Sequence, residues 1–363
     1  MHLMKKRKYI GLMSGTSLDG VDVVLCDIDA DDCQLLKQST YPFPSELKEK
    51  ILNLTAGETS LYEVGELDHR LGLLFADAVV FLLEDAGIVA DEVSAIGSHG
   101  QTLWHAPKGT CPFTMQLGDP NIIAARCGIP VVADVRRKDM AFGGSGAPFA
   151  PAFHRFIFKN IEMAVAVANI GGIANITVLQ EPLIGYDTGP GNMLMDAWIS
   201  KHKGAGYDKE GVWAREGKVD YTLLDAMMAD DYFALPYPKS TGREKFNIQW
   251  VEAHILRRGG SMCPPKDVQR TLLELTALSL SNEVLKFNPD VLMLCGGGAK
   301  NSFLVERIAA LMPNIHVGIM AEADALEAMM MAWLAYKRVH EEPVLLKDVT
   351  GASQNTVLGA LYQ

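Results

Sequence analysis

The 363-residue sequence is poor in cysteine, in positive charge and in long apolar runs. Its six cysteines (Cys26, Cys33, Cys111, Cys127, Cys263 and Cys295) are scattered and form no CxxC pair. That argues against a zinc ribbon or a disulfide framework and fits a reducing cytoplasm. Lys and Arg total 33 against 44 Asp and Glu, a net charge of −11. Nucleic-acid affinity rests on clustered Lys and Arg, so no nucleic acid is expected as a partner. The one sharp basic run, Lys5-Lys6-Arg7-Lys8, leads only to the short apolar stretch 10–13 before Ser14. This is too short for the apolar core of a signal peptide. No stretch reaches the ~18 apolar residues of a membrane span, so no membrane is expected either. The phosphate-loop pattern GxxxxGK[ST] is missing, and no strand leads into GxGxxG.

What remains has an ordinary globular composition, 48% hydrophobic and 21% charged, in a chain long enough for about two domains. Residues 9–13 and 21–28 read as strands around the polar turn Ser14-Gly15-Thr16-Ser17-Leu18-Asp19-Gly20. Leu67, Leu71, Leu74, Ala78, Phe81 and Leu82 recur at helical spacing, which predicts a helix over 65–86. Strands are expected around Ile96 and over 129–133, and a flexible Gly-rich stretch over 142–148. The second half repeats the opening theme: a strand over 163–169, a Gly-rich turn over 170–175, and a strand over 176–179. Helices over 268–287, 302–312 and 325–336 alternate with the apolar strand 291–295, which runs into Gly296-Gly297-Gly298. Alternating elements predict α/β layers, and the two hairpins predict a duplicated fold. Domain I is drawn as residues 1–140 with 345–363, and domain II as 141–344.

Gly-rich tips let backbone N–H groups approach an anion, so two tips and a Gly triplet could hold a polyphosphate. Ordinary turn chemistry would also explain each tip alone. The order of these elements resembles the sugar kinase, Hsp70 and actin superfamily. The wording is narrower still. Met13-Ser14-Gly15-Thr16-Ser17-Leu18-Asp19-Gly20-Val21-Asp22, Ser98-His99-Gly100-Gln101-Thr102, Asn169-Ile170-Gly171-Gly172-Ile173-Ala174-Asn175 and Asp187-Thr188-Gly189-Pro190-Gly191-Asn192 resemble the anhydro-N-acetylmuramic acid kinase family. So do Ser240-Thr241-Gly242-Arg243-Glu244 and Thr350-Gly351-Ala352-Ser353-Gln354.

The resemblance implies a two-domain, ribonuclease H-like duplicated α/β fold with a central cleft, and a cytoplasmic homodimer. It also implies a reaction in which ATP and water convert 1,6-anhydro-N-acetylmuramic acid to N-acetylmuramic acid 6-phosphate and ADP. By the same resemblance Ser14, Gly15, Thr16, Ser17, Asp19, Gly20, Asp22, Asn169, Gly171, Gly172, Asn175, Gly189, Gly191, Asn192, Gly296, Gly297, Gly298 and Asn301 flank the nucleotide. Asp19 or Asp22 would face Mg²⁺ through water, with an ordinary Asx turn as the alternative. His99, Gln101, Arg136, Arg137 and Asp187 would meet the sugar; a structural histidine and a surface arginine pair are the bland alternatives.

Attack of water on an anomeric carbon needs a carboxylate base. Asp187, expected between the turn Gly185-Tyr186 and a helix entrance, is the candidate, and a helix cap is its alternative reading. Glu327 is a candidate to orient the water, against a solvated first-turn acid. Trp104 and Trp198 read as core. Two further classes stay open: an ATPase or glycosidase using the same carboxylate, and a non-enzymatic actin- or chaperone-like nucleotide switch.

Overall fold

A computed structural model describes residues 7–15, 18, 20–57, 59–257 and 263–363. The chain divides into two compact units, with borders at Lys159/Asn160 and Asp324/Ala325; the first unit takes both ends of the chain. The sheet of the first unit is built from β1 (Arg7–Ser14), β2 (Gly20–Ile28), β3 (Cys33–Pro42) and β4 (Val93–Ser98). A small separate hairpin, β5 (Gln101–Ala106) and β6 (Phe113–Leu117), precedes β7 (Val131–Ala133), which rejoins the main sheet. The second unit holds β8 (Val165–Ile170), β9 (Ile173–Val178), β10 (Ile184–Pro190), β11 (Val291–Cys295) and β12 (His316–Ile319). The last strand, β13 (Ala360–Tyr362), closes the edge of the first sheet beside β7.

The strand orders are β13-β7-β4-β1-β2-β3 and β10-β9-β8-β11-β12. In each, three successive strands form an antiparallel meander, and two later strands add in parallel beside the first of them. The duplicated α/β fold expected from the two hairpins is therefore present, unit by unit.

A parallel neighbour requires a crossover. In the first unit the helix Leu61–Ala86 serves, begun by a capping box between Ser60 and Glu63 and stopped by Gly87 in the left-handed conformation. Its Leu67, Leu71, Phe75, Val79 and Leu82 are buried against Ile10, Leu12 and Val23 of the sheet. In the second unit the helix Pro265–Leu285 leads into β11, burying Leu272, Leu275 and Leu280.

The helix Leu326–Val339 lies on the first sheet, although its residues fall inside the range drawn for domain II from the sequence. Its route is set by two glycines that face each other across β1 and β4, Gly11 and Gly97. A Cβ on Gly11 would stand 1.8 Å from the carbonyl oxygen of Ala328, and one on Gly97 1.9 Å from that of Met331. Met329, Met330 and Met331 are core.

Several local readings change. β2 is buried almost continuously, because the sheet is covered on both faces there. The turn between β8 and β9 is only Gly171-Gly172, tighter than the expected 170–175. Gly185-Tyr186 is not a turn; it lies within β10, whose irregular pairing at Asp187/Gly189 accommodates the glycines. Trp198 is core, as expected, but Trp104 is 52% exposed on β5.

Candidate active site

In α/β sheets ligands gather beyond the carboxyl ends of the parallel strands. In the first unit those ends carry Ser14-Gly15 after β1, His99 to Gln101 after β4, and Arg136 after β7. Ser14 is buried and donates its hydroxyl to Gln101 Oε1 at 2.6 Å, tying the β1 and β4 ends together.

His99 is 5% exposed and both ring nitrogens are engaged. Nδ1 lies 2.7 Å from the Gly100 carbonyl, which can only accept, so Nδ1 carries the proton. Nε2 then accepts from Arg136, at 3.1 Å from Nε and 2.8 Å from Nη2. Arg136 Nη1 donates to the Gly146 carbonyl at 2.7 Å, and its guanidinium lies over the Phe149 ring. The sequence pairs Arg136 with Arg137, but the structure separates them: Arg137 is exposed and meets Asp134.

Burial, then the Arg136 charge, pushes the His99 pKa down to about 3. Burial alone lowers that of His154 to about 4. Unfolded, each would titrate near 6.5. Below that value the unfolded chain binds protons that the folded chain refuses. Stability should therefore fall as pH drops from about 6.5 toward 4, by about 1.4 kcal/mol per pH unit for each histidine. Urea unfolding midpoints measured across that window check the slope; His99→Gln should make it shallower.

Three charged side chains feel one another at this edge. Glu327, in the first turn of Leu326–Val339, has its carboxyl pushed up by loss of hydration and by Asp22, with Arg136 opposing. Glu327 still reaches solvent. Asp22, half-buried on β2, accepts from Thr40 Oγ1 at 2.8 Å. Thr16, Ser17 and Asp19 lie outside the described residues. Gly20 is fixed by packing, since a Cβ there would sit 2.3 Å from Thr40 Cγ2. Among the described residues no three His, Cys, Asp or Glu side chains gather to hold a metal. A magnesium ion carried mainly by phosphates and waters needs only one or two carboxylates, and Asp22 has that character.

Sequence reasoning missed Asp139. Buried, it accepts from Gly146 N and Thr350 Oγ1, both at 2.8 Å. It thereby pins the stretch 142–148, expected to be flexible, to the closing Thr350-Gly351-Ala352 motif.

In the second unit the pairing register aligns Cys295, Asn169, Asn175 and Asp187 across four strands. Asp187 thus stands at the same sheet edge as the Gly171-Gly172 turn and the glycines after β11. It is a strand residue. The following helix, Met193–Lys203, begins after Asn192, so neither a cap nor a helix-entrance position describes Asp187.

Its anchoring is one-sided. Ser240 Oγ donates to Asp187 Oδ2 at 2.9 Å, and Thr241 N donates to the same oxygen at 3.1 Å. No described residue hydrogen-bonds Oδ1. Burial raises its carboxyl pKa above the ordinary value, Glu244 adds to this, and the Thr241 and Ser240 donors oppose it. Thr241 Oγ1, also unforeseen, is buried with no hydrogen-bond partner among the described residues.

The glycines divide by what demands them. A Cβ on Gly191 would stand 2.2 Å from the Gly171 carbonyl oxygen, one on Gly296 2.2 Å from Asn169 Oδ1, and one on Gly298 2.3 Å from Ile170 Cγ2. These three, with Asn192 donating to the Ile170 carbonyl, lock the hairpin tip, the β10 end and the triplet together. Gly189 has a φ of +152° and faces Phe233. Asn301 caps the helix Ser302–Leu311 through Oδ1. By contrast Gly172 and Gly297 are exposed, and a Cβ on either would meet nothing closer than 3.8 and 3.5 Å. Neither has a positive φ. The fold itself does not require glycine at these two positions, which fits a backbone kept bare for a phosphate ligand.

The family model for anhydro-N-acetylmuramic acid kinase matches residues 7–363. An anhydro-N-acetylmuramic acid kinase of Sulfurovum sp. (strain NBC37-1) is 62% identical, over 99% of this chain and 100% of its own. Those of Aliivibrio fischeri (strain ATCC 700601 / ES114) and Vibrio cholerae serotype O1 are 51% and 50% identical, over 98% and 99% of this chain and 99% of each relative. With a full-length family match laid over two duplicated units that carry a one-sided carboxylate and bare glycine tips, the chain belongs to the anhydro-N-acetylmuramic acid kinase family.

Proposed function

We propose that the protein uses ATP and water to open 1,6-anhydro-N-acetylmuramic acid and phosphorylate it. Water attacks C1 and gives a proton to Asp187 Oδ1. The C1–O6 bond breaks, and O6 takes the γ-phosphoryl group as its negative charge develops, releasing ADP. The atoms balance as N-acetylmuramic acid 6-phosphate, with the new C1 hydroxyl oxygen drawn from water. The observation that carries this reading is the one-sided hold on Asp187. Two donors fix Oδ2, while Oδ1 is left to accept, and a carboxyl pKa raised by burial makes the better proton acceptor.

The bare backbone at Gly172 and Gly297 supports phosphate binding in the second unit. In the first, Ser14 and Gly15 serve the nucleotide, and Asp22 would be the carboxylate that holds a Mg²⁺, which would supply neutralisation of the charge that builds on the phosphates. Arg136, rather than the exposed Arg137, offers its remaining N–H groups to the lactyl carboxylate, and Gln101 is a further group for the sugar. Glu327 orients the water. The protein acts in the cytoplasm as a homodimer, a state that sedimentation would check.

The direct test measures ADP release with and without the anhydro-sugar, and sugar opening with and without ATP. Each is expected to need the other substrate, in a 1:1 ratio. Opening without ATP would instead indicate a glycosidase, and ADP release without sugar a plain ATPase.

A further inference from the structure

Below Asp187 lies an ion pair that the proposed chemistry does not use. Lys239 Nζ and Glu283 Oε1 are 2.7 Å apart, with side chains only 2% and 4% exposed. A buried pair is a poor source of net stability, because desolvation offsets most of its attraction. It is well suited to fixing one arrangement of the segments it joins.

The segments joined here are those that hold Asp187. Lys239 precedes Ser240 and Thr241, the two donors to Oδ2, and its own carbonyl accepts from Asp187 N at 3.1 Å. Its ammonium also donates to the carbonyls of Tyr232 and Phe233, at 3.3 and 3.4 Å. Tyr232 in turn donates its hydroxyl to the Asp187 carbonyl at 2.7 Å. Glu283 Oε2 accepts from the hydroxyl of Tyr186, the strand neighbour of Asp187, at 2.8 Å, and also meets Lys286. The 239–241 segment, Tyr232 and the strand neighbour Tyr186, all of which touch or adjoin Asp187, thus converge on one pair.

We infer that the Lys239–Glu283 pair is the positioning element of the base, holding Ser240 and Thr241 on one carboxylate oxygen so that the other stays free and aimed. This rests on the reading of Asp187 as the base. The pair touches no substrate; it acts through the 239–241 segment. Besides these donors, the groups that face the Asp187 carboxylate are Glu244 and Tyr232.

The test compares Lys239→Met, Glu283→Gln and the neutral double variant Lys239→Met/Glu283→Met, with Asp187→Asn as reference. Lys239→Met is expected to lower kcat about 100-fold, the scale of a 1 Å misplacement, with KM for ATP and sugar within about threefold. Losing the Ser240 and Thr241 donors destabilises the ionised carboxylate, so the acidic limb of the kcat profile should move to higher pH. Ser240→Ala should move it in the same direction. If Lys239→Met fails to fold, the double variant, which leaves no lone buried charge, carries the test: it is expected to fold and remain slow. A folded single or double variant with wild-type kcat and an unmoved acidic limb would overturn the positioning role while Asp187→Asn stays inactive. Activity retained by Asp187→Asn would remove the base assignment itself.

Discussion

Asp187→Asn is expected to lower turnover by about a thousandfold or more, while ATP and the anhydro-sugar still bind with near wild-type affinity. The substitution keeps the shape and the hydrogen-bonding reach of the side chain. Ser240 Oγ and Thr241 N can still donate to an amide oxygen placed where Oδ2 stands, so the strand and its neighbours have no reason to move. What is lost is a group able to accept a proton. General base catalysis contributes about 10²- to 10⁴-fold, and here the same event also generates the alkoxide that captures the phosphoryl group. Sugar-dependent ADP release and calorimetric titration separate the two effects. Turnover within tenfold of wild type would show that another group takes the proton.

The largest effect on folding is expected at Gly97→Val. The obstacle is backbone, the carbonyl of Met331 at 1.9 Å from any Cβ, and a helix carbonyl cannot rotate away as a side-chain tip can. Relief would require lifting the helix Leu326–Val339 off β1 and β4, exposing the apolar face that buries Met331, Ala332 and Leu334. Overpacking alone costs about 1–3 kcal/mol where side chains can yield; here the loss should exceed about 3 kcal/mol, seen as a lower urea midpoint or as insoluble protein. Gly65→Ala is the opposite control. Gly65 is exposed within the helix Leu61–Ala86, has open space around it and no positive φ. Alanine there should stabilise by about 1 kcal/mol.

These two residues also mark how far the sequence can be read. Alternating strand and helix signals, together with two polar-tipped hairpins, are enough to predict a duplicated α/β fold. The three Gly-rich elements were visible as glycines, but not the division among them. Gly191, Gly296 and Gly298 are demanded by packing against residues of other strands, and only coordinates separate them from Gly172 and Gly297. β10 was illegible because Gly185, Gly189 and Pro190 read locally as breakers. An edge strand with irregular pairing tolerates them, whereas local pattern alone reads the candidate base as standing at a helix entrance. β3 is hidden in the sequence for a related reason. It is also an edge strand, and its alternating exposure leaves no apolar run. The Lys239–Glu283 pair is 44 residues apart in sequence, and nothing in local pattern joins such partners. The motif Ser240-Thr241-Gly242-Arg243-Glu244 is legible by its wording, but its use as a brace for Asp187 depends on geometry.

The central claim is that one carboxylate activates water at the anomeric carbon while the nucleotide captures the departing oxygen. Turnover in ¹⁸O-labelled water, followed by mass spectrometry of the sugar product and its fragments, tests it most directly. One heavy oxygen at C1, with none on the phosphate or on O6, is the expected result. Label in the phosphate, or a product without label at C1, would contradict it.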